Sequence, residues 1–457
     1  METHQQQQHF LVVTIGIQGQ INPARHLARR LVRHTGSRVT VATPLSSHRR
    51  MFPSPTPPPV VDRGLLSFAA YSDGFDAGYH PDTVDPELFT SQLRAAGTET
   101  LARLARTLAA RGRPVTRVVY TILVAWAADV AATLGVPSLL YWIEPASIFA
   151  TYHYYFHGLS ELVAAHKDDP SFELTLPGLP LLRIRDLPSL LVAGPKPYTD
   201  AFGEIFQVEV LDGERRPKVL VNTFRALETD AIAAMHDREL DLIPIGPMIG
   251  DEKDESASGG GGDLFEEDGS EYMRWLDSKE EGSVVYVSFG SLSRLSKKQM
   301  EELSTGLKKS GRHYMWVVRR DNNTGVEVAG ERGVVVEWCE QVRVLSHRSV
   351  GCFVTHGGWN STLESLVCGV PTVVVPQWLD QMTNARLVEE AWGVGVRAEG
   401  NGEGVVEGGE VVRCLDLVMG DHRGVEIRRR AETWREKARE AGGTSVKNLV
   451  DFVREMC

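Results

Sequence analysis

Apolar residues run along the chain in short unbroken blocks, and the polar stretches between them carry helical spacing. "HFLVVTIGI" near the start reads as a buried strand, and "NPARHLARRLVRH" after it as a helix with Pro23 in its first turn. "SRVTVAT" is a second strand, "MFPSPTPPPVVD" a Pro-rich surface loop, and "LLSFAAYSDGFDAG" a strand running into a polar loop. "PELFTSQLRAAGTETLARLARTLAARG" predicts a long amphipathic helix, followed by the strand "VTRVVYTIL", the helix "AWAADVAATLG" and the strand "PSLLYWI". The rhythm stops at 250–270 and then restarts with the strand "SVVYVSFGS", the helix "KKQMEELSTGLKKSG" and the strand "HYMWVVR". "GCFVTHGG", "PTVVVP" and "GVGVRAE" follow as further strands. The last stretch predicts two helices broken at Gly442-Gly443. Strands alternating with helices predict a parallel, helix-covered sheet, and the repeat of the pattern predicts two such α/β domains with a ligand cleft beyond the strand ends.

The interruption, "GDEKDESASGGGGDLFEEDGS", is acidic and Gly-rich and cannot form a core; it reads as a flexible connecting loop. The predicted division is an N-terminal domain over 1–245, a linker and loop over 246–275, and a C-terminal domain over 276–436.

The 457 residues suit two or three domains, and the net charge of −11 argues against a nucleic-acid or anionic-membrane binder. Five cysteines (Cys339, Cys352, Cys368, Cys414, Cys457), with no C-x-x-C pair, read as reduced thiols in an intracellular protein. The polar start "METHQQQQHF" is no secretory signal, and no stretch approaches the about 18 apolar residues of a membrane span, so the expected location is cytoplasmic.

The most specific stretch is "WCEQVRVLSHRSVGCFVTHGGWNSTLESLVCGVPTVVVPQWLDQ", residues 338–381. Its centre reads as a strand end, a Gly turn and a helix start, with Asn360, Ser361 and Thr362 suited to a helix N-terminus and Glu364 in the first turns. Free N–H groups and the positive dipole end there suit a phosphate, to which His356 can also donate.

This stretch resembles the signature box of plant family-1 UDP-glycosyltransferases, and "GIQGQINPA", "VVYVSFGS" and "GGTSVKNLVDFV" extend the resemblance over the chain. The resemblance implies the GT-B fold, an α/β architecture of two facing Rossmann-like domains with a cleft between them: the N-terminal one for the acceptor, the C-terminal one for the UDP-sugar. It places a last helix, 437–457, back on the first domain. It further implies that Trp338 stacks on the uracil, the Cys339 backbone pairs with the base edge, Gln341 reaches the nucleoside and Glu364 accepts both ribose hydroxyls. His356, Asn360, Ser361 and Ser291 would hold the diphosphate, and Trp359, Asp380 and Gln381 the sugar. A terminal Gln381 is the pattern associated with glucose. Gly357 stands where the family commonly has Cys, a departure expected to matter little.

His347, Cys352, Cys368 and Cys414 are read as packing residues. Asp73 and Asp76 superficially suggest metal acids, but no further ligand completes a set, and they are read as a solvated loop. The expected transfer is metal-independent and cofactor-free, with UDP-glucose as co-substrate, a small-molecule acceptor, no nucleic-acid partner, no integral membrane association and a monomeric protein. A Rossmann oxidoreductase is disfavoured, because "GIQGQI" is G-x-x-G and not G-x-G-x-x-G.

One position breaks the resemblance. The family's first loop reads G-H-x-N-P, with the His as general base; here it is Gly19-Gln20-Ile21-Asn22-Pro23. An amide does not take a proton near neutral pH. The family's orienting Asp falls, five residues before Trp126, on Thr121, as in the branch that includes anthocyanin 5-O-glucosyltransferases and ester-forming relatives. Three explanations stand open. The acceptor is a carboxylate and needs no base, with Gln20 orienting it. Another group takes the proton, Glu144 first, then His153 or His157. Or Gln20 disables turnover and leaves a catalytically impaired variant or a UDP-sugar-binding pseudoenzyme.

Overall fold

The computed structural model describes residues 7–54, 58, 60–79, 84–206, 217–250, 270–322, 324–327, 330–420 and 422–456. The acidic Gly-rich loop over 251–269, residues 55–57 and 59 of the Pro-rich loop, and Cys457 lie outside them. The chain divides into two compact units: residues 1–165, 193–264 and 441–457 form one, and residues 166–192 and 265–440 the other.

In the first unit, β1 (His9–Val13), β2 (Arg38–Pro44), β3 (Val60–Arg63), β4 (Leu66–Tyr71), β5 (Arg117–Tyr120) and β6 (Ser138–Trp142) come first. A two-stranded antiparallel pair, β7 (Glu173–Leu174) and β8 (Leu182–Arg183), then falls in the second unit. The chain returns with β9 (Lys218–Val221) and β10 (Asp241–Pro244). The sheet order is β10-β9-β6-β5-β1-β2-β4-β3, and its pairs are parallel except β3 with β4 at the edge. The Pro-rich segment predicts a loop, yet Val60–Arg63 is a strand. Beside the buried β4, that edge strand pairs Val60 with Ala69 and Val61 with Phe68.

All five residues of β1 are buried, as a central strand covered on both faces requires. After β1 the chain moves one way to β2, and after β4 it crosses back to β5 on the other side of β1. The crevice at a parallel sheet's switch point therefore opens beyond the carboxyl ends of β1 and β5.

The second unit repeats the plan. β11 (Val284–Ser288), β12 (His313–Val317), β13 (Gly333–Val336), β14 (Val350–Thr355), β15 (Thr372–Val374) and β16 (Gly395–Arg397) lie in the order β13-β12-β11-β14-β15-β16, all parallel. Alternate side chains serve two cores. Val285, Val287, Cys352 and Val354 pack on one face, and Val284, Tyr286 and Phe353 on the other. The switch point here lies between β11 and β14.

Two sequence expectations change at helix ends. The first helix runs Gln18–Thr35, so Pro23 sits inside it and Gln20 stands in its first turn. The last helix is continuous from His422 to Glu455, without a break at Gly442-Gly443. Both ends are anchored: Ala431 and Ala438 are buried on one side of the glycines, and Ser445, Leu449 and Phe452 on the other. That burial offsets the roughly 1 kcal/mol per residue that glycine costs a helix. The segment from 441 onward packs in the first unit, where Asn448 donates to the Pro244 carbonyl at 2.9 Å and Lys218 pairs with Glu455 at 2.5 Å.

Candidate active site

At the switch point of the second unit, the helix Trp359–Cys368 follows β14 through Thr355-His356-Gly357-Gly358. Its N-cap is Gly358, with no side-chain cap, and Asn360, Ser361 and Thr362 stand in its first turn, at the helix N-terminus as the sequence suggested. The positive end of the helix dipole lies at this turn and favours a negative charge beside it. The Trp359 N–H hydrogen-bonds to Asp380.

His356 is clasped by backbone. A Cβ on Gly290 would lie 2.7 Å from the ring, and one on Gly358 only 2.5 Å from Nε2. Burial and the nearby Arg319 guanidinium pull its imidazole down to about 4, so the ring is neutral at pH 7 and donates through one N–H. Gly357 has φ +80, and a Cβ there would meet Val374 at 2.5 Å. The glycine therefore matters more than the sequence reading allowed, because in this turn a side chain would be both strained and crowded.

Arg319 is the residue that motif reasoning missed here. It is buried, donates to the Gly290 carbonyl and, at 3.0 Å, to the Ser293 carbonyl, and pairs with Asp321 at 2.9 Å. It thus ties down the turn carrying Ser291 and brings a positive charge to its side of the unit. A lone Arg after an apolar strand offers no motif by which to find it.

Beside the helix, Gln341 Nε2 donates to Glu364 Oε2 at 2.6 Å and to Ser361 Oγ at 2.9 Å, while Tyr286 O–H donates to Gln341 Oε1 at 3.1 Å. Burial pushes the Glu364 carboxyl up to about 7 against the opposing pull of Gln341. The Cys339 side chain is buried with its Sγ 3.1 Å from the Tyr286 hydroxyl, and Trp338 beside it is half-buried. The structure thus brings Gln341, Ser361 and Glu364 together directly, with Cys339 joined through Tyr286.

Asp380 is buried, which raises its carboxyl to about 6, and it accepts from Asn384 Nδ2 at 2.7 Å. Asn384 donates also to the Gly357 carbonyl at 2.8 Å, so the Asp380 loop and the His356 turn share one amide. Gln381 Oε1 accepts from the N–H groups of Gln377 and Trp378, at 2.8 and 3.1 Å, which leaves its N–H₂ as the free end of the side chain. Trp359 packs against Trp392, ring centroids 6.0 Å apart. His347 pairs with Ser349 and Asp277 at 2.8 and 3.1 Å, and burial holds the Cys352 thiol up at about 12; both are packing residues.

In the first unit, Gln20 and Thr121 meet at the β1/β5 switch point. Thr121 follows β5, its N–H donates to the Val13 carbonyl at the end of β1, and its hydroxyl donates to Gln20 Oε1 at 2.7 Å. Thr121 is fully buried and Gln20 is 6% exposed. Glu144 is buried beyond the end of β6, next to β5 in the sheet. The carboxylate that caps the following helix is not Glu144 but Glu228, which accepts from the Ala146 and Ser147 N–H groups at 2.9 Å each. His153 is buried, its ring stacked on His157 at 4.2 Å, and His157 Nδ1–H donates to the His153 carbonyl at 2.8 Å.

Asp73 is not solvated as expected. It is buried, its carboxyl raised by that burial, and it accepts from the Phe75 N–H at 2.9 Å to close its turn. Among the described residues no group of three or more His, Cys, Asp or Glu is placed to hold a metal, and no helix is long and apolar enough to cross a membrane.

Comparison with known proteins gives the family and the fold. The family model for UDP-glucoronosyl and UDP-glucosyl transferase matches residues 264–402. Crocetin glucosyltransferase, chloroplastic, of Gardenia jasminoides is 46% identical over 470 residues, with 98% of each chain covered. Anthocyanidin 3-O-glucoside 5-O-glucosyltransferase 1 of Perilla frutescens is 44% identical, again with 98% of each covered. The crystal structure of Os79 from O. sativa in complex with UDP superposes with a TM-score of 0.83 at 32% identity, covering 98% of this chain and 100% of that one. The two α/β units are those of the GT-B fold. The chain belongs to the plant family-1 UDP-glycosyltransferases, enzymes that glucosylate small metabolites.

Proposed function

We propose that this chain moves glucose from UDP-glucose, with inversion, onto a small lipophilic acceptor whose reacting group arrives ionised, a carboxylate before all. The observation that carries this reading is the 2.7 Å hydrogen bond from Thr121 to Gln20 Oε1. It occupies the amide oxygen and turns the N–H₂ away from Thr121. Two N–H donors suit a carboxylate that needs orienting, and an amide cannot deprotonate a hydroxyl near neutral pH. A carboxylic acid, with a pKa of about 4, is already a nucleophile at pH 7.

On the donor side, the positive dipole end of the Trp359–Cys368 helix, the His356 N–H and Ser291 suit the charge that grows on the leaving diphosphate. Glu364 suits the ribose diol, Trp338 and the Cys339 backbone the uracil, and Asp380 and the Gln381 N–H₂ the glucosyl hydroxyls. Arg319 adds a fixed positive charge that the family motif did not include. The same reading takes the transfer to be metal-independent and cofactor-free, and the protein to be a cytosolic monomer.

The test is turnover of UDP-glucose with matched carboxylic and phenolic acceptors, alongside Gln20→His. Glucose esters without phenolic glucosides from the unchanged chain support the reading. Turnover by Gln20→His alone overturns it in favour of a disabled transferase. Phenolic turnover by the unchanged chain that is lost in Glu144→Gln assigns the base to Glu144 instead.

A further inference from the structure

Leu379, the residue before Asp380, has φ +56, a left-handed backbone that only two other non-glycine residues adopt among those described, Leu123 and Glu239. A branched L-residue does not stay there unless its surroundings hold it. They do so through one residue from a distant stretch of the sequence. The Leu379 N–H donates to Ser189 Oγ at 2.7 Å, and the Leu379 carbonyl accepts from the Ser189 N–H at 3.0 Å. Both backbone polar groups of the strained residue are thus satisfied by Ser189.

Ser189 is itself firmly placed. It lies three residues after Asp186, which is almost fully buried and bonded to Arg397 at 2.8 Å, with Arg386 at 3.9 Å. Thr383, two residues past Gln381, donates to the Asp186 carbonyl at 2.6 Å. All of these residues belong to the second unit, although residues 166–192 precede β9 and β10 of the first. The strand pair β7–β8 and the Ser189 turn are therefore a brace, contributed by an early part of the chain, on the loop that carries Asp380 and Gln381.

We infer that Ser189 is a positioning residue for the sugar end of the donor site. Its hydroxyl and N–H hold Leu379 left-handed, and this backbone turn sets where the Asp380 carboxylate and the Gln381 amide present themselves to a hexose. The inference rests on the reading of Asp380 and Gln381 as sugar contacts. The brace bears on the Asp380 loop, whereas the Gln341–Glu364 pair is held by separate contacts. Ser189 therefore governs affinity for the glucosyl group more than for uridine diphosphate, which the Asp380 loop reaches only through Asn384 and the Trp359 N–H.

The test is calorimetric binding of UDP and of UDP-glucose to the full chain carrying Ser189→Ala, Ser189→Thr or Leu379→Gly, or both Ser189→Ala and Leu379→Gly. In Ser189→Ala the ratio of the UDP-glucose Kd to the UDP Kd rises about tenfold, the scale set by one lost hydrogen bond to a buried N–H. UDP affinity changes by a smaller factor, and Ser189→Thr, which keeps the hydroxyl, restores the ratio. In the Leu379→Gly background Ser189→Ala has a smaller effect, because glycine needs no clamp to turn left-handed. A ratio unchanged in Ser189→Ala, or equal losses for both ligands, overturns the inference. The donor-site reading is checked separately: if Asp380→Asn leaves UDP-glucose affinity intact and Glu364→Ala leaves UDP affinity intact, that reading fails on its own account.

Discussion

Gln341 donates to the Glu364 carboxylate at 2.6 Å while its own oxygen accepts from the Tyr286 hydroxyl at 3.1 Å. The pair has a titration consequence. Burial holds the Glu364 carboxyl up at about 7, so a proton competes there for the oxygens that a ribose diol needs. UDP-glucose, whose diphosphate does not titrate near neutrality, is expected to bind more tightly as pH rises through about 7 and more weakly below it. Glu364→Gln removes this dependence. Gln341→Ala, by removing the bond that favours the carboxylate, moves the midpoint to higher pH. Binding measured by calorimetry between pH 6 and 8.5 decides; a flat profile in the unchanged protein contradicts the assignment.

The clasp around His356 predicts a steric effect. Gly290 has φ +69, and its missing Cβ would lie 2.7 Å from the imidazole. Gly290→Ala is expected to destabilise the protein by about 1–3 kcal/mol through backbone strain and displacement of the ring. It should also weaken UDP binding, since the ring beside the helix N-terminus must move. Thermal unfolding and UDP titration of the same sample read both effects.

Thr121→Val keeps the shape of the side chain and removes the hydroxyl that meets Gln20. Loss of the bond to a nearly buried amide oxygen costs about 1–3 kcal/mol. The freed Gln20 amide no longer has a set orientation, so turnover of a carboxylic acceptor falls while UDP binding is unchanged. Thr121→Ser restores turnover. A Thr121→Val enzyme with full activity removes Thr121 from the mechanism.

Asp186 accepts from the Arg183 N–H at 3.0 Å besides its contact with Arg397 at 2.8 Å. Asp186→Ala leaves the Arg397 guanidinium, 12% exposed, without its carboxylate. A loss of about 3–5 kcal/mol is expected, as for breaking other buried pairs. Denaturant unfolding followed by tryptophan fluorescence measures it; a change under 1 kcal/mol would show that the brace contributes little to stability.

Gly442 and Gly443 stand within a continuous helix, and a Cβ on either meets nothing within 4 Å. Replacing both with alanine is expected to stabilise the protein by about 1 kcal/mol or more, because alanine loses less backbone freedom on folding. A lowered melting temperature would show that the helix needs to bend there.

The sequence by itself determined the two α/β halves, because a buried parallel strand must be a short apolar block and its covering helix must be amphipathic. It also nominated most of the donor-side candidates, since Trp338 to Gln381 form one continuous stretch, whereas Ser291 and Arg319 lie outside it. Tertiary structure alone decided the rest. Whether Gly442-Gly443 ends a helix depends on burial at residues such as Ala438 and Leu449, which local propensity does not carry. Whether Asp73 is solvated, and whether Glu144 or Glu228 caps the helix at Ala146, depends on which carboxylate the fold buries beside free N–H groups. The meeting of Gln20 with Thr121, and of Ser189 with Leu379, joins residues more than a hundred positions apart. The first pair arises from the crossing order of strands in a sheet and the second from the return of residues 166–192 onto the second unit, and no local pattern of hydrophobic and polar residues records either.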